Sequence, residues 1–78
     1  MKPRVSRFGE TVTRVLRAAL ASGGMSSDAV EQAVATHAPV AITFTTSQIG
    51  MYTRKGRSAE EAHDQAFSDL SEWAHKLT

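Results

Sequence analysis

The residues of this 78-residue chain that could do chemistry are three histidines, His37, His63 and His75, with scattered carboxylates and hydroxyls. No two histidines have the four-residue spacing, with an acid between them, that is typical of helical metalloenzymes. The chain has no cysteine, no glycine-rich phosphate loop and no Gly-x-Ser-x-Gly turn. We therefore expect no catalytic residues, no metal site and no cofactor.

The charges form two basic islands and one acidic segment, although the net charge is only +1. Residues 1–20 hold five basic residues against Glu10, and residues 54–57 hold three more. Residues 58–78 hold five acidic residues against Lys76. This polarity is typical of small regulators that present one face to an acidic partner. The expected partner-binding residues are Arg4, Arg7, Arg14, Arg17, Gln48, Tyr52, Arg54, Lys55 and Arg57.

The segment 45–57 allows a nucleic-acid interpretation as well as a protein one. Amide and hydroxyl side chains such as Gln48 and Tyr52 could contact base edges, with the neighbouring cations on phosphates. Residues 1–9, which contain Pro3 and Gly9, predict a flexible basic arm that could follow the DNA backbone. The spacing of the predicted helices argues against a helix-turn-helix, because in that motif a turn of only three or four residues joins the two helices.

The elements that must position these residues begin with a helix from Glu10. Apolar residues recur there at intervals of three and four, which places them on one face. Gly23 and Gly24 should end this helix. A second helix is predicted from an N-cap at Ser26, Ser27 or Asp28 to about Ala38. Its end is predicted from Pro39, since the residue before a proline is disfavoured in helical geometry.

The side chains of residues 40–45 follow an alternating pattern and many of them are β-branched, which favours an extended segment. The segment has no strand partner within the chain. It is expected to be a connector or a strand that pairs with its twin in a dimer, and a helix is the third alternative. The predicted gap of 39–44 between helices is too long for a helix-turn-helix.

A short third helix, through Ile49 and Tyr52, is expected to end at Gly56. Ser58 and Glu61 then form a capping box that begins the final helix. The predicted fold is all-α or mainly α: a single domain over 1–78, with three to four short helices in a small bundle and a possible strand at 40–45. The residues expected in the core are Val12, Leu16, Leu20, Val30, Val34, Ile49, Phe67, Leu70 and Trp73.

A chain this short buries only a little over half of its unfolded surface, so self-association as a homodimer is expected. No apolar run approaches the roughly 20 residues that span a bilayer, and we expect a cytoplasmic protein without membrane contact. The expected function is stoichiometric binding by a non-enzymatic bacterial or phage regulator, such as an inhibitor or antitoxin, with a protein partner. The alternative is a small dimeric DNA-binding regulator that uses the arm and residues 45–57.

Overall fold

Three α-helices joined by short turns make up residues 7–77, which are the residues that the computed structural model describes. They are α1 (Arg7–Ser22), α2 (Ser27–Arg54) and α3 (Ala59–His75), and each helix packs against the other two. The predicted all-α fold is confirmed. The described part of the chain contains no helix that is both long and apolar enough to cross a bilayer.

Helix α1 begins at Arg7, three residues before the predicted start. Residues 7–9 of the predicted arm are therefore helical, while residues 1–6 lie outside the described part of the chain. The helix buries its apolar face, including Val12, Leu16 and Leu20. It ends at Ser22, as predicted, and Gly24 follows with a φ of 88° that favours glycine.

Helix α2 continues through Pro39, so the predictions of a helix end at Ala38 and of a strand or connector at 40–45 are wrong. The reason is a single buried stripe of Val30, Val34, Ala41 and Thr45, at intervals of four, seven and four residues. This stripe keeps one face of α2 against the other two helices on both sides of the proline. Tertiary burial of that face outweighs the local β-propensity.

The threonines that suggested a strand are accommodated by hydrogen bonds to their own helix. The Thr45 hydroxyl donates to the carbonyl of Ala41 at 2.8 Å, and the Thr43 hydroxyl donates to the carbonyl of Pro39 at 3.0 Å. Thr45 is fully buried, so its hydroxyl needs this partner. Pro39 itself lies on the exposed side. Ala35, whose carbonyl loses its helical donor there, is an exposed residue as well.

The turn between α2 and α3 occupies residues 55–58. Gly56, with a φ of 90°, donates to the carbonyl of Thr53 at 3.0 Å, and the Arg57 amide donates to that of Tyr52 at 3.1 Å. This pair of bonds is a Schellman motif, which ends a helix sharply. The Ser58 hydroxyl accepts from the Glu61 amide at 3.2 Å and donates to the Glu61 carboxylate at 3.1 Å. The predicted Gly56 stop and Ser58 cap are both confirmed.

The core is thin, and small residues make up much of it. Among the described residues, the buried apolar side chains are Val12, Leu16, Ala19, Leu20, Val30, Val34, Ala41, Ala62, Ala66, Leu70 and Ala74. Alanine lets the helices approach closely but contributes little apolar area. Phe67 and Trp73 were predicted inside but are only partly buried, and Ile49 is likewise only half-buried. The other six predicted core residues are buried.

Replacing Gly50 by alanine should raise the free energy of unfolding by about 0.5–1 kcal/mol. A Cβ at residue 50 meets no atom within 4 Å, and the residue lies inside α2. Alanine also reduces the entropy of the unfolded chain. Urea unfolding followed by circular dichroism measures the change.

The matched control for this substitution is Gly56→Ala. A Cβ at residue 56 also meets no atom within 4 Å, but its φ of 90° is unfavourable for alanine. Stability should therefore fall by about 1 kcal/mol. An unchanged or lowered stability of Gly50→Ala would contradict a helix that continues through residue 50.

Candidate functional site

The seam between α2 and α3 carries a group of polar side chains. Gln48 and Tyr52 lie one turn apart on α2, and Gln65 and Asp69 lie one turn apart on α3. We call these four residues the polar cluster. The short turn at 55–58 requires the two helices to return alongside each other, which brings residues distant in sequence together.

Asp69 is the centre of the polar cluster, because its carboxylate accepts three hydrogen bonds. The Tyr52 hydroxyl donates to Oδ2 at 2.6 Å, and the Gln48 amide donates to the same oxygen at 2.9 Å. The Gln65 amide donates to Oδ1 at 3.1 Å. Hydrogen bonds to a carboxylate are among the stronger ones in proteins. Gln48 and Tyr52, both predicted to bind a partner, thus already join α2 to α3.

The contacts of the polar cluster shift the pKa values of its two titratable groups, Asp69 and Tyr52. Partial burial raises the pKa of the Asp69 carboxyl, but the bonds from Tyr52, Gln48 and Gln65 outweigh this effect, and the pKa lies below its ordinary value. The hydrogen bond to Asp69 raises the pKa of Tyr52, and partial burial and the Asp69 charge raise it further. Asp69 is therefore charged and Tyr52 neutral across the physiological range.

Three cations lie beside the polar cluster at the end of α2, and we call Arg54, Lys55 and Arg57 the basic turn. All three are exposed. The Arg57 guanidinium carbon lies 5.8 Å from the centroid of the Tyr52 ring, a cation–π contact. Within residues 7–77 none of the three has a carboxylate within ion-pair distance. The structure therefore brings Tyr52 and Arg57 together.

The other predicted cations lie on or before α1, and the three on α1, Arg7, Arg14 and Arg17, are exposed. Arg17 forms a two-bond ion pair with Glu31, at 2.8 Å and 3.1 Å, which holds α1 to the start of α2. Its charge is thus largely satisfied within the chain. Arg4 lies outside the described residues.

The first turn of α1 packs on α3. The Phe8 ring lies 5.9 Å from that of Phe67 and 6.4 Å from that of His63, between centroids. Arg7 directly precedes Phe8 in the sequence and is exposed. The structure does not gather all the predicted cations on one site, because Arg17 lies farther along α1 in its pair with Glu31.

An aromatic group occupies the other end of the seam. Trp73 stacks on Phe44 with centroids 5.8 Å apart and an interplanar angle of 19°. It also forms a T-shaped pair with His37, with centroids 6.2 Å apart. Val40 is 57% exposed and Leu77 is 38% exposed. We call Pro39, Val40, Phe44, Trp73 and Leu77 the apolar strip.

Two depressions on the described residues are open to solvent rather than enclosed. One depression of about 370 Å³ lies on the apolar strip and is lined by Pro39, Val40, Thr43 and Phe44. A second, of about 200 Å³, lies beside the Arg17–Glu31 pair. Small-molecule sites usually enclose most of their ligand and combine apolar walls with convergent polar groups. No group of three or more His, Asp or Glu side chains in residues 7–77 could hold a metal ion.

Sequence reasoning missed the residues that organise the seam. Asp69 was counted only as one charge of an acidic helix, yet it receives bonds from side chains 17 and 21 residues away. Trp73 was assigned to the core, and Val40 to a strand or connector. The four-residue spacing of Val40 with Phe44, and of Asp69 with Trp73, is the signal that could have placed them on two helical ridges.

Tyr52→Phe should lower the melting temperature by several degrees and leave the helical content unchanged. The substitution keeps the ring, and with it the Arg57 contact, but removes the 2.6 Å bond to a charged carboxylate. Thr53→Val is the matched control, since the Thr53 hydroxyl is exposed and bonds only within its own helix. A melting temperature for Tyr52→Phe equal to that of the wild type would rule out the polar cluster as a tie between α2 and α3.

The stability difference between the wild type and Tyr52→Phe should depend on pH at both extremes. Because the folded pKa of Asp69 is lowered, its contribution is present above about pH 4 and is lost as the pH falls through the folded value. Because the folded pKa of Tyr52 is raised, its contribution is present below about pH 10 and is lost as the pH rises further. Thermal melts from pH 3 to 11 measure the difference, and a constant difference below about pH 4 would contradict a charged Asp69 as the acceptor.

The seam thus presents a satisfied polar cluster between the exposed basic turn and the exposed apolar strip. Both exposed ends are suited to macromolecular contact, since aromatic residues and arginine are enriched at interface centres. Comparison with protein-family models, with curated proteins and with solved structures finds no match for the chain.

Proposed function

We propose that this chain is a small non-catalytic regulator that binds a protein partner in fixed stoichiometry, with the basic turn facing carboxylates of that partner. The observation that carries the proposal is the arrangement of Arg54, Lys55 and Arg57. They are exposed and without ion pairs in the described structure, and they lie on a turn closed by a Schellman motif. A rigid turn loses little conformational entropy on binding, which favours specific contact.

The charges of the helix N-termini favour a protein over DNA. The turns at 23–26 and 55–58 are short enough for a helix-turn-helix, so the spacing objection does not hold in the folded chain. However, the helix after each turn begins with acid: Asp28 in α2, and Glu60 and Glu61 in α3. The helix that enters the major groove lies close to phosphates, and these carboxylates would be repelled there.

The mixture of charges around the basic turn also favours a protein partner over DNA. Three cations at 54–57 are followed within four residues by Glu60 and Glu61. DNA presents a uniform line of negative charge, which would meet both signs in the same area. A protein surface can match the two signs separately, and complementary charge then provides specificity and faster association. Gln48 and Tyr52, which could have contacted bases, are already bonded to Asp69.

We also propose that the regulator works as a homodimer. The flat shape supports this, since the molecule measures 40 × 36 × 16 Å. The core supports it too, because Phe8, Phe44, Phe67 and Trp73 are all only partly buried. A chain of this size gains little stability from its own core, and a second copy would cover apolar side chains that folding leaves exposed.

The proposal is tested with Arg54→Ala/Arg57→Ala and a matched variant that loses the same charge elsewhere, Arg7→Ala/Arg14→Ala. Each tagged protein is incubated with extract of the source cells, and the co-purifying protein is quantified against the bait. We expect a partner at a fixed molar ratio that the 54/57 variant loses at least tenfold and the 7/14 variant largely retains, since two charged contacts are worth about 1.4 kcal/mol or more. Circular dichroism confirms that both variants fold.

The same proteins are titrated against a random DNA duplex at about 50 mM salt. If the partner is a protein, both double variants should bind the duplex weakly and to the same extent. Tight duplex binding that falls steeply with salt and disappears in Arg54→Ala/Arg57→Ala would support the DNA-binding alternative and refute the protein partner. Equal loss of the protein partner by both double variants would also contradict the assignment to the basic turn.

A further inference from the structure

The apolar strip is the most exposed apolar surface of residues 7–77. Val40 and Leu77 are its large exposed side chains, and Phe44 and Trp73 are only partly buried between them. The strip lies at the middle of α2 and the end of α3, whereas the basic turn lies at the end of α2. A partner on the strip would therefore leave the basic turn free.

The strip has a shape that can fit a copy of itself. Beside Val40 lies the open depression of about 370 Å³, lined by Pro39, Val40, Thr43 and Phe44. A surface that carries a projecting valine next to a depression can pack against a copy of itself across a two-fold axis. Each Val40 can enter the depression of the other copy, and the two contacts form together.

The charges at the edge of the strip are also self-complementary. Glu72 and Lys76 are exposed, lie one turn apart, and each directly precedes a residue of the strip, Trp73 or Leu77. Neither has an ion-pair partner within the described part of the chain. When two copies of α3 run antiparallel, Glu72 of one lies opposite Lys76 of the other, and the reverse pair forms by symmetry. The net charge of +1 opposes such a contact very little.

We propose that the apolar strip is the contact surface of an isologous homodimer, in which the α3 helices pack antiparallel across the two-fold axis. The occupant of the strip is a second copy of this chain, and two reciprocal Glu72–Lys76 pairs set the register. This assignment rests on the homodimer proposed above and names its contact surface, but it does not depend on the identity of the partner at the basic turn. The dimer presents two basic turns.

Sedimentation equilibrium of the purified protein, over concentrations up to about 1 mM, tests the proposal. The wild type should approach twice the chain mass of 8.4 kDa. Val40→Glu should raise the dimer Kd at least about tenfold, because it places a charge at the centre of the apolar contact. Thr46→Glu is the matched control, since it adds the same charge at an exposed position of the same helix away from the strip.

A charge exchange tests whether the second copy, rather than another protein, matches the strip. Glu72→Lys and Lys76→Glu should each weaken the dimer, since each places like charges opposite one another. The double variant Glu72→Lys/Lys76→Glu should restore the dimer, because the pairs re-form with their signs exchanged. Mixing the two single variants should likewise restore a dimer, since the heterodimer places opposite charges across the axis, whereas charges that pair only within one α3 would give no such rescue.

Three outcomes overturn the proposal. They are a wild type that stays monomeric throughout the range, a dimer that Val40→Glu leaves intact, and a double charge variant no better than the single ones. Circular dichroism of each variant at low concentration shows that the monomer remains folded. The readout is the mass of the pure protein, so loss of the dimer is distinguishable from loss of partner binding at the basic turn.

Discussion

Burial of one face of α2 is the constraint on which the rest of the structure depends. Val30 and Val34 lie before Pro39, and Ala41 and Thr45 lie after it, yet the four form one stripe. A helix that ended at the proline would bury only its first half against α1. By continuing, α2 extends far enough for α3 to return along its second half. The positions of the polar cluster, the apolar strip and the basic turn all follow from that continuation.

Small residues along the helix contacts move the aromatic side chains toward the surface. Ala62, Ala66 and Ala74 are fully buried on α3, at positions where larger side chains would hold the helices apart. The space between the helices is therefore narrow, and the rings of Phe44, Phe67 and Trp73 pack at its edges. Close packing of the backbones and exposure of the rings are thus two consequences of the same pattern. The exposed parts of these partly buried rings are then available for a contact between molecules.

How much could be predicted from the sequence depends on the range of the interactions involved. The Ser58 cap, the Gly56 stop and the amphipathic face of α1 rest on neighbours within four residues, and these predictions are confirmed. The helix at 40–45 could not be predicted in this way, since its local propensity favours a strand and only distant packing reverses that preference. The polar cluster was missed for the same reason. Its bonds link residues 17 and 21 positions apart, and their pairing depends on how α3 returns along α2.

The two ends of the seam expose different kinds of side chain, cations at one end and apolar groups at the other. This difference is the reason that the two proposals give them different roles. Between them, Asp69 accepts from all three polar neighbours, and no buried side-chain polar atom of the described residues lacks a partner. The polar cluster therefore joins α2 to α3, and the Arg57 guanidinium carbon lies 5.8 Å from the centroid of the Tyr52 ring. At one end lie cations that residues 7–77 do not neutralise, and at the other lie apolar side chains that these residues do not cover. Cations attract a charged partner over distance and confer specificity, whereas apolar area stabilises a contact already formed. The two proposals accordingly assign the apolar end to a second copy of the chain and the basic end to a different molecule.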